Sequence, residues 1–372
     1  MKIERPNCCI INKTEYNEDL NEMIDEITSL IETWGGNVTQ SFVHKSERID
    51  AAQFFGKGKC EEINVYLEEH PEVTIVVANV SLTPIQLRNL ELVFKRTVLD
   101  RQQIILEIFD QHAQTNEAKM QVQLAELEFM KSRLRHQWTH IFKQQGGSGF
   151  RGPGEKQIEM DRQTIKKKIS FFKDKLKNLE KVRATQRKNR KDDFTVSIVG
   201  YTNAGKSSLL RLLSKKEVYV EDKLFATLDT TTRTVFIDDG ANGKKILISD
   251  TVGFIRNLPH QLVASFKSTL EELKYADLIV EVIDIAGVAV DHKMTVVDDV
   301  LKELGVKDKA RLFVFNKTDK LTAEELTAMR IKYRVLNALF ISIKDVSNIE
   351  DLKLELLRHY DTWNDTARDG IR

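Results

Sequence analysis

The stretch "FTVSIVGYTNAGKSSLLRLL", Phe194 to Leu213, decides the predicted fold of the C-terminal half of the chain. An alternating apolar run ends at Gly200, and a leucine-rich run with helical character follows Ser207. Between them, "GYTNAGKS" fits the phosphate-loop pattern G-x-x-x-x-G-K-[ST]. A strand before this pattern and a helix after it form the context in which it binds nucleotide phosphates. We therefore expect a phosphate-binding loop at residues 200–208.

Each part of this loop has an expected chemical role. Backbone N–H groups at the helix start surround the β-phosphate, Lys206 reaches the β- and γ-phosphates, and the Ser207 hydroxyl ligates Mg²⁺. Because charge on the transferred phosphate must be neutralised, we also expect Lys206 to act in catalysis. The predicted nucleotide contacts of the loop are Gly200, Tyr201, Thr202, Asn203, Ala204, Gly205, Lys206, Ser207 and Ser208.

An aspartate and a glycine complete the phosphate end of the predicted site. "KKILISDTVGF" places Asp250 after an apolar run, as at the end of a strand, followed by Thr251, Val252 and Gly253. Asp250 is expected to hold Mg²⁺ through water, and the Gly253 N–H to sense the γ-phosphate during catalysis. All four residues are therefore predicted to lie at the nucleotide.

Two further segments predict which base is bound. "RLFVFNKTDK" is an apolar strand that ends in Asn316, Lys317, Thr318 and Asp319. The Asp319 carboxylate can accept two hydrogen bonds from guanine, whereas adenine offers no matching pair of donors. Motifs in this order at strand ends fit the ligand-binding edge of an open α/β sheet, and Asp319 selects GTP over ATP. After another apolar run, "LFISIKD" supplies a loop to support the base through Ser342, Ile343 and Lys344.

The residue after Gly253 predicts a slow reaction. Ras-like GTPases place a glutamine there to orient the attacking water, and this chain has Phe254. A phenyl ring cannot make the required hydrogen bonds, so we expect slow intrinsic hydrolysis that a partner accelerates. A first switch must also supply a threonine for Mg²⁺ and the γ-phosphate. The pattern does not choose among the candidates in "KLFATLDTTTR", which are Thr227, Thr230, Thr231, Thr232 and Thr234.

The pattern of residues 1–110 predicts a separate, small parallel α/β domain. Four short β-type runs, "CCIIN", "NVTQSFVH", "VTIVVAN" and "RTVLD", alternate with helical patterns. Trp34 is followed by Gly35 and Gly36, which indicates the end of a helix.

The pattern of residues 111–191 predicts a long antiparallel helical hairpin with a glycine-rich tip at 146–155. Between Lys143 and Lys191 there are 16 Lys or Arg against five Asp or Glu, in a chain of net charge +1. This concentration favours contact with RNA or DNA over a solvated helix face. At the tip, we expect Phe150 to stack on a base and Arg151 to contact phosphate or base. The apolar residues at helical spacing are Leu124, Leu127, Leu134, Trp138 and Ile141 before the tip and Ile165, Ile169, Phe172, Leu176 and Leu179 after it.

The rest of the chain completes a predicted multidomain α/β protein of 372 residues. Residues 192–360 predict a P-loop GTPase domain with a Ras-like doubly wound sheet, and residues 361–372 a tail that frays. Three cysteines without a C-x-x-C pair indicate neither a disulfide framework nor a zinc site. No apolar run is as long as a membrane span and the first residues lack a signal-peptide core, so we expect a cytoplasmic protein. We also expect it to be a monomer.

The motifs together resemble the HflX family of bacterial translational GTPases. The resemblance covers most of the chain and is carried by "FFGKGKCEEI", "QVQLAELEF", "RGPGEKQIEMDR", "GYTNAGKSSLL", "LFATLDTTTR" and "DTVGFIRNLPHQLVASFKSTLEE". It implies that "FATLD" is the first switch, with Thr227 as Mg²⁺ ligand and catalytic residue. The nucleotide contacts implied there are Phe225, Ala226, Thr227, Leu228 and Asp229.

The resemblance also implies that the N-terminal domain binds nucleotides, including ATP. Only "GKGK", Gly56 to Lys59, offers a candidate for such a site. A loop that begins a helix is the favoured interpretation of this segment.

For the whole protein, the resemblance implies a factor that binds the large ribosomal subunit and, with GTP, splits stalled or idle ribosomes under stress. The hairpin tip would contact ribosomal RNA near the peptidyl-transferase region. Departures from the family in the helical region, such as "QHAQT", leave a role against ribosome-targeting antibiotics open. An alternative is a regulatory GTP-binding switch whose coiled-coil hairpin recruits a protein partner. A third possibility, an ATP-dependent RNA-remodelling enzyme, is disfavoured by Asp319.

Overall fold

The computed structural model describes residues 5–14, 20–45, 49–144, 153–188, 193–214, 224–225, 228, 231–238, 243–256, 262, 265–266, 270 and 272–368. The chain divides into two compact units. The first is Met1–Lys177 with Pro259–Ser265, and the second is Asn178–Leu258 with Phe266–Arg372. No helix within the described ranges has the length and apolar character that spanning a bilayer requires.

The first unit contains a four-stranded parallel sheet of order β2-β1-β3-β4. Its strands are β1 (Asn7–Thr14), β2 (Asn37–Lys45), β3 (Val73–Ala78) and β4 (Thr97–Asp100). The helices that alternate with them are α1 (Leu20–Trp34), α2 (Lys57–Glu69), α3 (Pro84–Phe94) and α4 (Arg101–His112). The prediction of a small parallel α/β domain is confirmed.

Local sequence explains where these helices begin and end. Gly35 adopts a φ of 106°, and the N–H groups of Gly35 and Gly36 both donate to the Ile31 carbonyl, which closes α1. At the start of α3, Thr83 and Gln86 form a capping box in which each side chain accepts from the other residue's backbone N–H. These caps fix the points at which the chain leaves a helix or enters one.

Two long helices follow, α5 (Asn116–Gln144) and α6 (Pro153–Lys188). The Lys173 ammonium lies 2.7 Å from the Glu128 carboxylate, so the two helices approach each other at this point. The predicted apolar seam of α6 holds buried and half-buried positions, namely Ile165, Ile169, Phe172, Leu176 and Leu179.

The predicted tip at 146–155 is shorter in the structure, because α6 already begins at Pro153. Proline fits the first turn of a helix since its fixed φ is helical and its missing N–H would have no partner there. Residues 145–152 lie outside the described ranges, as do the side chains of Leu134, Trp138 and Ile141. The antiparallel connection between the two helices therefore stays a prediction.

The second unit contains a six-stranded sheet of order β10-β9-β8-β5-β7-β6. All neighbouring strands are parallel except β6, which is antiparallel to β7. The strands are β5 (Phe194–Val199), β6 (Thr231–Ile237), β7 (Lys244–Asp250), β8 (Leu278–Asp284), β9 (Arg311–Asn316) and β10 (Leu339–Phe340). The helices described are α7 (Lys206–Ser214), α8 (Glu272–Tyr275), α9 (Val290–Glu303), α10 (Ala323–Lys332) and α11 (Ile349–Arg368).

The strand order reverses at β5, which has β8 on one side and β7 on the other. Because these strands are parallel, their carboxyl ends lie at one edge of the sheet, where a doubly wound fold binds its ligand. The predicted doubly wound sheet of this unit is confirmed.

The C-terminal end differs from the prediction of a fraying tail at 361–372. Helix α11 continues to Arg368, and Trp363 packs against the apolar core of the second unit. The Trp363 ring lies 5.5 Å from that of Phe194, the first residue of β5. The prediction was wrong for residues 361–368, because Trp363 continues the helical apolar stripe of Leu352, Leu356 and Tyr360 onto the core.

Candidate nucleotide-binding site

The phosphate loop joins the end of β5 to the start of α7. Gly200 and Gly205 take φ values of 146° and 103°, which L side chains rarely adopt. A Cβ at Gly200 would lie 2.2 Å from the Val282 carbonyl oxygen, and one at Gly205 would lie 2.4 Å from Asn316 Nδ2. Both positions therefore require glycine, because the backbone conformation and the neighbouring strands leave no room for a side chain.

Lys206 begins α7 with its side chain folded back over the loop. It is 6% exposed, and its Nζ donates a 2.7 Å hydrogen bond to the Tyr201 carbonyl. Burial lowers the pKa of Lys206 to about 8, the Asp250 carboxylate opposes this shift, and the nearby Lys317 ammonium adds to it. A desolvated ammonium in this position is suited to bind phosphate oxygens, whose negative charge would favour its protonated form.

Ser207 and Asp250 form the donor set expected for Mg²⁺. Ser207 Oγ donates a 2.6 Å hydrogen bond to Asp250 Oδ2, and Asp250, at the end of β7, is 1% exposed. Hydroxyl and carboxylate oxygens are hard ligands, and Mg²⁺ completes its coordination with waters and substrate phosphates. These two residues therefore fit Mg²⁺. The other predicted ligand, Thr227, lies outside the described residues.

Residues 250–256, which we call the second switch, lie directly on the phosphate loop. The Thr202 N–H donates to the Phe254 carbonyl at 2.8 Å, and the Phe254 N–H donates to the Gly200 carbonyl at 3.1 Å. A Cβ at Gly253 would lie 3.0 Å from Lys206 Nζ, so Gly253 stands beside the ammonium. The Phe254 side chain is 1% exposed and is buried where a water-orienting group would be needed.

Asn316 and Asp319 lie at the predicted base-binding end of the site. Asn316 Nδ2 donates to the Ala204 carbonyl at 2.9 Å, and Asn316 Oδ1 accepts from the Ile343 N–H at 3.2 Å. The Ser342 hydroxyl donates to Asp319 Oδ1 at 2.7 Å. Asn316 thus connects the phosphate loop to the base-supporting loop, and Ser342 fixes the carboxylate that is predicted to read guanine.

The structure brings most predicted site residues to one edge of the sheet. Residues 200–208, 250–253, 316–319 and 342–344 are adjacent there, with Lys344 exposed. In the first switch, Phe225 and Leu228 are buried, whereas Ala226, Thr227 and Asp229 lie outside the described residues. The predicted RNA contacts Phe150 and Arg151 also lie outside them.

The "GKGK" segment begins a helix, as the favoured interpretation expected. Gly56 precedes α2 with a φ of −64°, and neither Gly56 nor Gly58 has the positive φ found in the phosphate loop. Lys59 Nζ lies 2.5 Å from Glu62 Oε2, one turn further along the same helix. An ATP site in the N-terminal domain is therefore not supported.

Two contacts at the site could not be predicted from the sequence motifs. Asp284 ends β8 and its carboxylate lies 2.8 Å from Lys317 Nζ. Its place at the end of an apolar strand is the signal that could have identified it. The second contact is the hydrogen bond from the Arg256 N–H to the Tyr201 hydroxyl, at 2.8 Å. No motif announces that contact, because the phosphate-loop pattern leaves position 201 free.

The fold and the site together define a P-loop GTPase. Three family models match the chain, "GTP-binding GTPase N-terminal" at residues 21–110, "GTP-binding GTPase Middle Region" at 112–190 and "50S ribosome-binding GTPase" at 195–317. The chain belongs to the HflX family of GTPases. A GTPase HflX of Flavobacterium psychrophilum is 42% identical over 364 residues, which cover 92% of this chain and 87% of that protein.

Other known proteins agree with this assignment. The GTPase HflX of Escherichia coli K12 is 39% identical over 333 residues, which cover 89% of this chain and 77% of that protein. Among solved structures, that of SsGBP in complex with GDP is 25% identical with a TM-score of 0.52. The match covers 95% of this chain and 98% of that one. Family and fold therefore agree over nearly the whole chain, and the protein is a GTPase.

Proposed function

We propose that this protein binds the large ribosomal subunit and, with GTP bound, splits stalled or idle ribosomes in the cytoplasm. The words "50S ribosome-binding GTPase" belong to the family model that matches residues 195–317, and they support a ribosomal partner. Binding energy to the ribosome would break contacts between subunits, and GTP hydrolysis would then release the factor.

The observation that carries the proposal beyond a generic GTPase is the charged surface of α6. Ile169 and Leu176 are buried along one side of this helix. The lysines around them are exposed, namely Lys166, Lys167, Lys168, Lys173, Lys175, Lys177 and Lys181. Exposed ammonium groups concentrated on one helix can bind the phosphates of folded RNA. This surface therefore favours ribosomal RNA as the partner of the helical region.

The tip beyond these lysines is proposed to enter the ribosome near the peptidyl-transferase region. Phe150 would stack on an unpaired base and Arg151 would bind phosphate or base. The exposed lysines of α6 would bind neighbouring phosphates, so that tip and helix act as one RNA-binding element.

For the reaction itself, we propose that Lys206 binds the β- and γ-phosphates and that the Gly253 N–H binds the γ-phosphate. Ser207 and Thr227 would hold Mg²⁺, which when bound neutralises phosphate charge during transfer. Because the Phe254 ring is buried and apolar, the chain supplies no water-orienting side chain at that position. The ribosome would provide or order the missing group, which keeps hydrolysis slow until the factor is engaged.

The first test compares GTP hydrolysis by the purified protein alone, with large subunits and with small subunits. We expect large subunits to raise kcat and small subunits to leave it unchanged. The second test follows whole ribosomes through sucrose gradients after incubation with protein and a non-hydrolysable GTP analogue. We expect free subunits to accumulate with wild type and not with the Phe150→Ala, Arg151→Ala variant.

Each result has an opposing outcome. Equal hydrolysis under all three conditions would contradict ribosomal activation. Unchanged gradients with wild type would contradict splitting, even where large subunits stimulate hydrolysis. Splitting by the double variant, with GTP affinity intact, would reduce the tip to a connection between the two helices.

A further inference from the structure

We propose that the Tyr201 side chain holds the second switch against the phosphate loop and thereby sets the intrinsic rate of GTP hydrolysis. Tyr201 occupies the first variable position of the phosphate-loop pattern, which demands no particular side chain there. Its hydroxyl is therefore available for a role other than phosphate binding. The inference rests on GTP hydrolysis and is independent of ribosome splitting.

Besides the hydrogen bond from Ser207 Oγ to Asp250 Oδ2, the described residues show three hydrogen bonds between the second switch and the loop, and one of these three depends on the Tyr201 side chain. The two backbone bonds join Phe254 to Gly200 and Thr202. The third runs from the Arg256 N–H to Tyr201 Oη, at 2.8 Å. It lies two residues beyond the last backbone bond, so the hydroxyl extends the attachment along the chain that follows Phe254.

The Tyr201 ring is itself held in position. Lys293, on α9, places its Nζ 5.7 Å from the ring centroid, within the range of a cation–π contact. The tyrosine backbone is fixed in the phosphate loop, where its carbonyl accepts from Lys206 Nζ at 2.7 Å. Because its backbone and its ring are both restrained, the Tyr201 side chain loses little conformational entropy when its hydroxyl bonds Arg256.

This attachment opposes the rearrangement that hydrolysis requires. Gly253 must present its N–H to the γ-phosphate, while the Lys206 ammonium can reach the phosphates with the N–H donors that the Tyr201 carbonyl does not use. Gly253 stands beside the Lys206 ammonium in the attached conformation, where a Cβ would lie 3.0 Å from Nζ. Loosening the second switch therefore shifts the population toward the conformation that engages GTP.

The test is the Tyr201→Phe variant, which removes the hydroxyl and keeps the ring. Loss of one hydrogen bond from the attached conformation is expected to raise intrinsic kcat about two- to tenfold. The affinity for GDP should stay within about twofold of wild type, since GDP lacks the γ-phosphate that the second switch contacts. The matched control is Tyr66→Phe, which removes a hydroxyl bonded to Thr39 Oγ1 at 3.1 Å in the first unit; its kcat should equal that of wild type.

Hydrogen–deuterium exchange separates this role from general stability. The Arg256 amide should exchange faster in Tyr201→Phe than in wild type, while amides in the β5 core keep their protection. A kcat equal to or below that of wild type overturns the proposal, and so does an unchanged rate of exchange at Arg256. A rise in kcat that Tyr66→Phe reproduces also overturns it. Ribosome gradients play no part in this test, so its failure leaves the splitting proposal to its own experiment.

Discussion

The Ser342 hydroxyl donates to the Asp319 carboxylate and holds it in place. Replacing Asp319 by Asn puts an amide donor opposite the exocyclic amine of guanine, which is also a donor. Xanthine has a carbonyl at that position, which can accept a hydrogen bond from the amide. We expect Asp319→Asn to bind GTP about 10- to 100-fold more weakly, as loss of charge-assisted hydrogen bonds requires, and to prefer XTP. Calorimetric titration with both nucleotides measures this. The control, Ser342→Ala, keeps the carboxylate and should lose less affinity; unchanged GTP binding by Asp319→Asn would refute the base assignment.

Glu281 is a second residue whose carboxylate is held by a hydrogen bond, in this case from Arg311. It is fully buried on β8, and its Oε2 accepts from Arg311, which also bonds the Asp298 carboxylate of α9. Burial raises the pKa of Glu281 from 4.5 to about 7, against the opposing charge of Arg311. The folded protein therefore holds a proton between these pH values that the unfolded chain has released. The stability contributed by this proton is present below pH 4.5 and is lost as the pH rises through about 7.

Glu281→Gln should remove this pH dependence. For one proton the slope is at most about 1.4 kcal/mol of unfolding free energy per pH unit. Urea unfolding of wild type and variant in steps from acid to neutral pH measures the slope. Glu350→Gln, whose carboxylate is 81% exposed on α11, should keep the wild-type slope. The assignment fails where Glu281→Gln and wild type lose stability in parallel.

The role of a single side chain can be predicted from sequence where its contacts are local or where a motif specifies its residue type and spacing. Lys206 and Asp250 belong to patterns that specify residue type and spacing, so both could be located at the phosphate end without a structure. Tyr201 and Arg256 are 55 positions apart in the sequence. Their contact depends on strand order rather than on any local pattern. Sequence therefore predicts the groups expected to bind nucleotide better than the groups that restrain them.

Helix α6 offers a test of how a long basic helix is held. Leu176 is 8% exposed on its seam, whereas Phe171 is 52% exposed on the same helix. Leu176→Ala should lower the unfolding free energy by about 2–5 kcal/mol, since it removes buried apolar volume. Phe171→Ala should lower it less, by about 1 kcal/mol, because about half of the Phe171 side chain is already exposed. Urea unfolding followed by far-UV circular dichroism compares them, and equal losses would contradict the seam assignment.

Among the elements, the predicted strands of both sheets match the structure because their apolar runs are short and bounded by polar residues. The run after Asp100 is less clear from sequence, since no Gly or Pro divides it. The structure ends α4 at His112 and starts α5 at Asn116. Thr115 marks the new start, and its hydroxyl accepts from the Ala118 N–H at 3.1 Å. Because a single capping hydroxyl marks this boundary in an otherwise helical stretch, the sequence alone predicts it weakly.

For the molecule as a whole, charge distribution is more informative than total charge. The chain has 57 Lys or Arg and 56 Asp or Glu, so its net charge does not predict a nucleic-acid partner. The exposed lysines of α6 create a local excess on one helix. If they neutralise RNA phosphates, each contact releases counterions, and binding weakens as salt rises. An apolar coiled coil that recruits a protein partner would respond little to salt.

Affinity for large ribosomal subunits, measured over a series of salt concentrations, distinguishes these two possibilities. Wild-type affinity should fall linearly with salt on logarithmic axes, by about 0.7–0.9 in slope for each neutralised phosphate. The triple variant Lys166→Gln, Lys167→Gln, Lys168→Gln should lower that slope by about 2–3 and bind GTP as wild type does. The matched control replaces three exposed lysines of the GTPase unit, Lys302, Lys307 and Lys320, by Gln. Salt-insensitive binding by wild type, or equal slopes for the two triple variants, would move the RNA contact away from α6 and favour a protein partner for this helix.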